Sequence, residues 1–245
     1  MKKIYILPNL MTTGNFLCGV ISIGCSLNGQ FVKGALWILF SMIFDFLDGF
    51  LARISKASTK FGEEYDSLSD LMSFGAAPMV LMYQMSLSQM GRLGLSVAFI
   101  YCVCCALRLA RYNARLDGRP KTIITGLPTP AAGGFIASGV IAADHFSASM
   151  GPWAPSSMLI LALLMISTIR YPKPQVLSFM RTGHFFYLVS VAVVLGGIVL
   201  FGEMSLFVGF SIYVLGGLIY DLFWKDQFPE HLPETAVHDP KGLRP

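Results

Sequence analysis

The chain has 245 residues, of which 54% are hydrophobic and only 13% are charged. A soluble globular domain carries about 25% charged residues, so this composition excludes an ordinary water-soluble domain and indicates an integral membrane protein. The net charge is +4, and its basic residues collect between apolar segments, so the charge needs no nucleic-acid partner to explain it.

About eight apolar segments are long enough to be membrane helices, since a helix needs about 20 residues to cross a bilayer. They lie at 8–28, 34–54, 70–89, 93–112, 127–146, 154–170, 185–201 and 205–223. Short connections join them, so we predict an all-α fold, a polytopic transmembrane helical bundle that occupies residues 1–224. Residues 225–245 are polar and contain four prolines, which predicts a short cytosolic tail.

Basic residues are distributed unevenly between the loops, which predicts the orientation of the bundle. If the N-terminus is cytosolic, all of the 18 lysines and arginines except Lys33 and Arg92 fall on the cytosolic side. Cytosolic loops are enriched in lysine and arginine, so we expect an even number of spans with both termini in the cytosol. We expect the protein to lie in the cell membrane. The basic inner surface would face anionic lipid headgroups.

Four aspartates lie at the cytosolic ends of the second and third predicted spans. Asp45 and Asp48 are three residues apart, and Asp66 and Asp70 are four apart, so each pair shares one face of a helix. Carboxylates beside a bilayer are costly unless something compensates them. Hard oxygen ligands suit Mg²⁺ or Mn²⁺ rather than zinc. The pattern therefore predicts a four-carboxylate metal cage and metal-assisted chemistry on a phosphorylated molecule.

The segment between the two aspartate pairs offers groups that can bind a phosphate. Gly49 has no side chain, which lets a ligand approach the backbone. Arg53 follows one turn later and could pair with phosphate oxygens through its forked N–H groups, and Thr59 could hydrogen-bond the same phosphate. The alternative is a solvated charged loop, which the spacing of four carboxylates with glycine, alanine and arginine between them disfavours.

The complete pattern reads DxxDGxxAR, eight further residues, then GxxxDxxxD, from Asp45 to Asp70. It resembles the signature of the CDP-alcohol phosphatidyltransferase family at every fixed position. The resemblance implies transfer of a phosphatidyl or phospho-alcohol group from a CDP-linked donor to a hydroxyl, with release of CMP. It also implies that Asp45, Asp48 and Asp66 hold two metal ions. Asp70 would complete the shell of the second metal and serve as the catalytic base.

The donor, CDP-diacylglycerol, is expected to bind around the same motif. The resemblance implies that Gly49, Arg53 and Thr59 contact its diphosphate, and the fixed positions Ala52 and Gly62 complete this set. Two polar residues, Asn9 and Thr12, open the first span near the same interface. They bind the cytidine or a phosphate, or alternatively they cap the first helix.

Further motifs resemble one branch of the family, the membrane-embedded phosphatidylserine synthases, over roughly residues 5–175. These motifs are PNLMT at 8–12, SFGAAP at 73–78, RLARYN at 108–113, GLPTPAAG at 126–133 and MISTIRYP at 165–172. The resemblance implies L-serine as the acceptor and a homodimer as the assembly.

A zwitterionic acceptor such as serine needs a cation for its carboxylate. Arg108 and Arg111 are one turn apart at the cytosolic end of the fourth span, and either could bind that carboxylate. Equally, both could simply mark the cytosolic side of the membrane. Asn113 and Thr129 are candidate polar partners, and the prolines on either side of Thr129 fit the first turn of a helix.

Two alternative functions remain open at the level of the sequence. The first is the same chemistry with another acceptor, glycerol phosphate or inositol. A phosphorylated acceptor would need additional cations to bind its own phosphate. The second is a cation transporter that uses the acidic cluster as its binding site. Transport sites usually lie near the membrane midplane on broken helices, whereas these carboxylates fall at one face beside a basic loop.

Overall fold

The computed structural model describes residues 6–55, 59–114, 123–146, 153–172 and 204–224, and these residues form helices and one short pair of strands. In chain order the elements are α1 (Ile6–Leu27), α2 (Phe31–Ser55), α3 (Lys60–Asp70), a π-helical turn (Leu71–Ala76), α4 (Ala77–Met85), a 3-10 turn (Leu87–Met90), α5 (Arg92–Ala114), β1 (Ile123–Thr125), α6 (Thr129–His145), α7 (Trp153–Ile166), β2 (Arg170–Pro172) and α8 (Met204–Trp224).

Four of the described helices are long and apolar enough to cross a membrane. The spans are Pro8–Leu27, Phe31–Leu51, Arg92–Ala114 and Met204–Leu222. The predicted helical fold with membrane-length apolar helices is therefore confirmed, whereas the count of eight spans stays a prediction. The predicted seventh span, at 185–201, and the tail at 225–245 lie outside the described residues.

The predicted third span, 70–89, corresponds to a longer and less regular helix. It begins ten residues earlier than predicted, at Lys60, because Thr59 caps α3 by accepting a hydrogen bond from the N–H of Gly62 at 3.0 Å. Between α3 and α4 the chain makes the π-helical turn, in which the N–H of Ala77 donates to the carbonyl of Met72, five residues back. Turns of this kind are rare in proteins overall, and those that occur are frequently found at functional sites.

The core lies at the centre of the bundle, where α5 packs on α7 and α2 packs on α6. Its large buried side chains include Phe74, Tyr101 and Met158. The buried small residues at 131–134 of α6 let neighbouring helices approach closely. Large apolar side chains of α5, such as Phe99 and Val103, are exposed on the outside of the bundle, where a bilayer would surround them.

The two strands fix the entry to α6. They pair antiparallel, with Ile124 opposite Tyr171. The chain then turns at Gly126, whose φ of 81° and close approach to the carbonyl of Met165 exclude a side chain there. Pro130 follows in the first turn of α6, as predicted. The start of α6 is therefore held against the end of α7.

Candidate active site

Three aspartates form a compact acidic cluster. Asp45 and Asp48 lie one turn apart on α2, Asp66 lies on α3, and one carboxylate oxygen from each lies within 4.8 Å of the others. In the part of the chain that the structure describes, Oδ1 of Asp66 is buried and has no hydrogen-bond partner. Buried polar atoms are nearly always partnered, so a cluster of three carboxylates that includes a residue with an unpartnered buried oxygen fits a hard divalent cation.

The crowding of these carboxylates changes the ionisation of Asp66, which lies on α3 outside the four membrane-length helices. Burial, followed by the negative charges of Asp48 and Asp45, raises the pKa of Asp66 to about 8. A bound divalent cation would add positive charge beside these carboxylates and would favour their ionised forms.

Asp70 is buried one turn beyond Asp66 and is not part of the group of three. Nδ2 of Asn15, on α1, donates a hydrogen bond to Oδ1 of Asp70 at 3.1 Å. The hydroxyl of Ser73 donates to the carbonyl of Asn15 at 2.8 Å. The structure thus contains a cluster of three carboxylates with a fourth beside it. The four-carboxylate cage and the role of Asp70 in it stay predictions.

The first helix contributes directly to the acidic cluster. The hydroxyl of Thr12 donates to Oδ2 of Asp48 at 2.8 Å, and the hydroxyl of Ser69 donates to the carbonyl of Thr12 at 3.0 Å. Because α1 is already helical at Ile6, the alternative that Asn9 and Thr12 cap the first helix is wrong. Thr12 instead orients one of the carboxylates.

Sequence reasoning missed Asn15, although the sequence carries a signal for it. Asn15 is fully buried and lies three residues after Thr12, on the same face of an apolar helix. Its Oδ1 is also buried without a hydrogen-bond partner among the described residues. Polar residues repeated at helical spacing in a membrane helix indicate a functional face. The spacing of Thr12 and Asn15 therefore indicates that both belong to such a face of α1.

Three of the predicted donor residues, one of them on α1, lie close together near the start of α3. A Cβ atom at Gly62 would lie 3.3 Å from Oγ1 of Thr59 and 3.5 Å from Oδ1 of Asn9. Gly49 follows Asp48 directly on α2. The side chains of two further predicted donor residues, near the end of α2, lie outside the described part of the structure: Ala52 and Arg53.

Two of the predicted acceptor residues contact each other. Arg108, on α5, is buried, and its Nη1 donates to Oγ1 of the fully buried Thr129 at 3.1 Å. Its Nε is buried as well, and no described residue accepts a hydrogen bond from it. A buried guanidinium with an unused donor is a costly arrangement unless a ligand completes it.

The other two predicted acceptor residues hold parts of the fold together. Nη1 of Arg111 donates to the carbonyl of Ile166 at 2.7 Å. Its Nη2 reaches three more carbonyls, those of Met165, Ser167 and Thr125, at 3.2, 3.2 and 3.5 Å. Nδ2 of Asn113 donates to Oγ of Ser67 at 2.9 Å, which joins α5 to α3. Arg111 therefore ties the end of α7 to β1.

Comparison with known proteins identifies the family. The profile of the CDP-alcohol phosphatidyltransferases matches residues 5–169, and the chain belongs to this family, as its aspartate motif predicted. The CDP-diacylglycerol–serine O-phosphatidyltransferase of Helicobacter pylori is 31% identical over 226 residues, which cover 91% of this chain and 94% of that protein. The enzyme of the same name from Bacillus subtilis is 32% identical over 166 residues, 68% of this chain and 89% of the relative. The archaetidylserine synthase of Methanothermobacter thermautotrophicus is 35% identical over 169 residues, 68% and 70% of the two chains.

Proposed function

We propose that this protein transfers the phosphatidyl group of CDP-diacylglycerol to the hydroxyl of L-serine, which gives phosphatidylserine and CMP. The observation that carries the proposal is the cluster of Asp45, Asp48 and Asp66, with its orphaned oxygen, in a member of this family. The names of the relatives support serine as the acceptor, because they differ in the lipid and agree in serine.

In this proposal Asp45, Asp48 and Asp66 hold divalent ions, and Asp70 completes the shell of the second. Two bound Mg²⁺ or Mn²⁺ ions would neutralise negative charge on the diphosphate of the donor. Thr12 keeps Asp48 oriented through its 2.8 Å hydrogen bond. The proposed donor contacts are Asn9, Thr12, Gly49, Ala52, Arg53, Thr59 and Gly62.

The transfer forms one bond to phosphorus and breaks another. The hydroxyl oxygen of serine attacks the phosphorus that carries the diacylglycerol, and its proton passes to Asp70, the general base. The bond from that phosphorus to the bridging oxygen of CMP breaks, and CMP leaves with the electron pair. Asn15 fixes one oxygen of Asp70, which orients the carboxylate for the proton transfer.

Arg108 supports an acceptor that carries a carboxylate. Its unpartnered Nε is a buried, charged donor beside Thr129, and a carboxylate oxygen would satisfy it. Arg111 donates to four carbonyls, so we assign carboxylate binding to Arg108, with Thr129 beside it. Inositol offers no charge for Arg108, and glycerol phosphate would require further cations.

We also propose a membrane arrangement in which residues 1–224 form eight spans, and both termini, including the tail at 225–245, are cytosolic. The site would lie at the cytosolic face of the cell membrane, beside anionic lipids. The protein would form a homodimer. Support comes from the distribution of charges along the helices. Asp48 and Arg108 lie near the ends of α2 and α5, whereas Lys33 and Arg92 lie at the starts of the same helices. Carboxylates at one end of a bundle, in a transferase family, argue against the transporter alternative.

The test is an assay of the purified protein with CDP-diacylglycerol, Mg²⁺ or Mn²⁺, and a panel of L-serine, glycerol 3-phosphate and inositol. We expect phosphatidylserine and an equal amount of CMP with serine alone, measured by mass spectrometry and nucleotide release. Asp45→Asn should abolish both products. The matched control is Asp144→Asn, which removes an exposed carboxylate at the far end of α6 and should leave activity unchanged.

Two results would contradict the proposal in different ways. A lipid product with glycerol 3-phosphate but not with serine would keep the family chemistry and refute the acceptor. CMP release at the same rate with no alcohol present would identify hydrolysis rather than transfer.

A further inference from the structure

The π-helical turn after Asp70 receives a hydrogen bond from another helix. Pro78 lies in the first turn of α4 and has no N–H, so it cannot donate to the carbonyl of Phe74, four residues back. That carbonyl instead accepts a hydrogen bond from the hydroxyl of Tyr101, on α5, at 2.9 Å. Phe74 and Tyr101 are both fully buried. Tyr101 therefore supplies the donor that Pro78 lacks, at a place where an unpartnered carbonyl would be costly.

Neighbouring helices enclose the same turn tightly. A Cβ atom at Gly19, on α1, would lie 2.9 Å from Cα of Ser73. A Cβ atom at Gly133, on α6, would lie 3.0 Å from Cδ1 of Phe74. Both glycines therefore lie so close to the turn that there is no room for a side chain. The position of the turn is set by this packing as well as by hydrogen bonds.

The geometry of the turn determines where Asp70 points. The turn begins directly after Asp70, and Ser73 within it bonds to Asn15, which in turn bonds to Asp70. A π-helical turn contains about one residue more than an α-helical turn. Replacing it by a regular turn would therefore rotate Asp70 by about 100° relative to α4.

We propose that Tyr101 is a positioning residue for the reaction: together with Pro78 it holds the π-helical turn that directs Asp70 toward the acceptor. Tyr101 acts through the carbonyl of Phe74, not by touching the substrate. The inference rests on the proposed function, because it takes Asp70 as the base.

The primary test is Tyr101→Phe, which removes one hydroxyl and keeps the ring. We expect kcat per folded molecule to fall about ten- to a hundredfold, the size of loss that a displacement on the order of 1 Å causes. At saturating Mg²⁺ or Mn²⁺, which offsets any loss of Asp70 as a metal ligand, the KM for CDP-diacylglycerol should stay within about twofold, because none of the proposed donor contacts lies in this turn. The matched control is Tyr83→Phe on α4, a partly buried tyrosine packed against the core, which should change neither constant.

Amide hydrogen exchange gives a readout that needs no substrate. In Tyr101→Phe, exchange of the amides at 71–77 should accelerate, and in Tyr83→Phe it should not. If the wild-type protein makes no phosphatidylserine, the proposed function fails, while the exchange data still decide whether Tyr101 holds the turn. Unchanged exchange, or an unchanged kcat in the folded variant, would overturn the inference.

A second variant separates positioning from a merely structural role. Tyr101→Phe combined with Pro78→Ala restores an N–H that can donate to Phe74 in a regular helical turn. We expect slow exchange at 71–77 to return while kcat stays low, because Asp70 is then rotated. Recovery of both the slow exchange and kcat would mean that the π-helical geometry is not needed, and would refute the proposal.

Discussion

Replacing Gly19 by alanine tests how tightly the carboxylates of the site are held. A Cβ atom there would lie 2.7 Å from Oγ of Ser73 and 2.9 Å from its Cα. The hydroxyl can rotate away, but the Cα atom belongs to the backbone of the π-helical turn. Gly24, on the same helix, has nothing within 4 Å of its Cβ position, so Gly24→Ala changes the helix in the same way without the close contact.

The expected size of the effect follows from these distances. Carbon atoms in contact lie about 3.5–4.0 Å apart, so α1 and the turn must separate by about 0.6 Å or more. Overpacking costs about 1–3 kcal/mol, and alanine inside a helix gains about 0.5–1 kcal/mol over glycine. Gly19→Ala should therefore destabilise the fold by up to about 2.5 kcal/mol, and Gly24→Ala should stabilise it by about 0.5–1 kcal/mol.

The same separation should affect catalysis, because Ser73 and Asn15 link the turn to Asp70. We expect kcat of Gly19→Ala to fall on the order of tenfold or more. The assay is phosphatidylserine formation per folded molecule, together with the thermal unfolding midpoint in detergent. If Gly19→Ala matched Gly24→Ala in both midpoint and kcat, α1 would not restrain the turn, and this reasoning would be wrong.

Four further predictions concern the carboxylates and the arginines. Below about pH 8, Mn²⁺ would have to displace a proton from Asp66, because the pKa of this carboxyl is raised to about 8. The affinity for Mn²⁺ should therefore rise with pH, by up to about tenfold per pH unit, and level off above about pH 8. Titration from pH 6 to 9 measures this, and an unchanged slope in Asp66→Asn would contradict the assignment. Asp70→Asn should lower kcat by about 10²–10⁴-fold at saturating metal, whereas rescue by added metal would make Asp70 a ligand only. Arg108→Ala should raise the KM for serine about ten- to a hundredfold and leave that for CDP-diacylglycerol unchanged. Arg111→Ala should lower the unfolding midpoint and leave both KM values near wild type; the reverse pattern for the two arginines would refute their assignment.

The sequence predicts those parts of the fold that depend on local patterns. Hydropathy summed over some twenty residues identifies α1, α2, α5 and α8, because each contains an apolar stretch long enough to cross a bilayer. The spacing of Asp45 and Asp48 places both on one face of α2. The signature adds Asp66, and the three do meet.

Contacts that depend on how helices rotate against each other could not be predicted in the same way. Arg108 and Arg111 are one turn apart and look equivalent in the sequence, yet one faces Thr129 and the other faces the end of α7. The hydrogen bonds from Asn15 to Asp70 and from Tyr101 to Phe74 span 55 and 27 residues. Helical periodicity carries no information about partners at such distances.

The carbonyl contacts of Arg111 limit how the choice of alcohol can change during evolution or by design. In the proposed site, a phosphorylated alcohol would bring about two negative charges and would need a second cation beside Arg108. Arg111 is one turn away, but turning it toward the site would take a donor from the carbonyls of Ile166 and Met165 and loosen the junction between α7 and β1. A new cation would have to come from another position first. In the proposed site, a shift from serine to glycerol phosphate would therefore require several coordinated exchanges, and intermediates that make only one of them should be poor at both reactions.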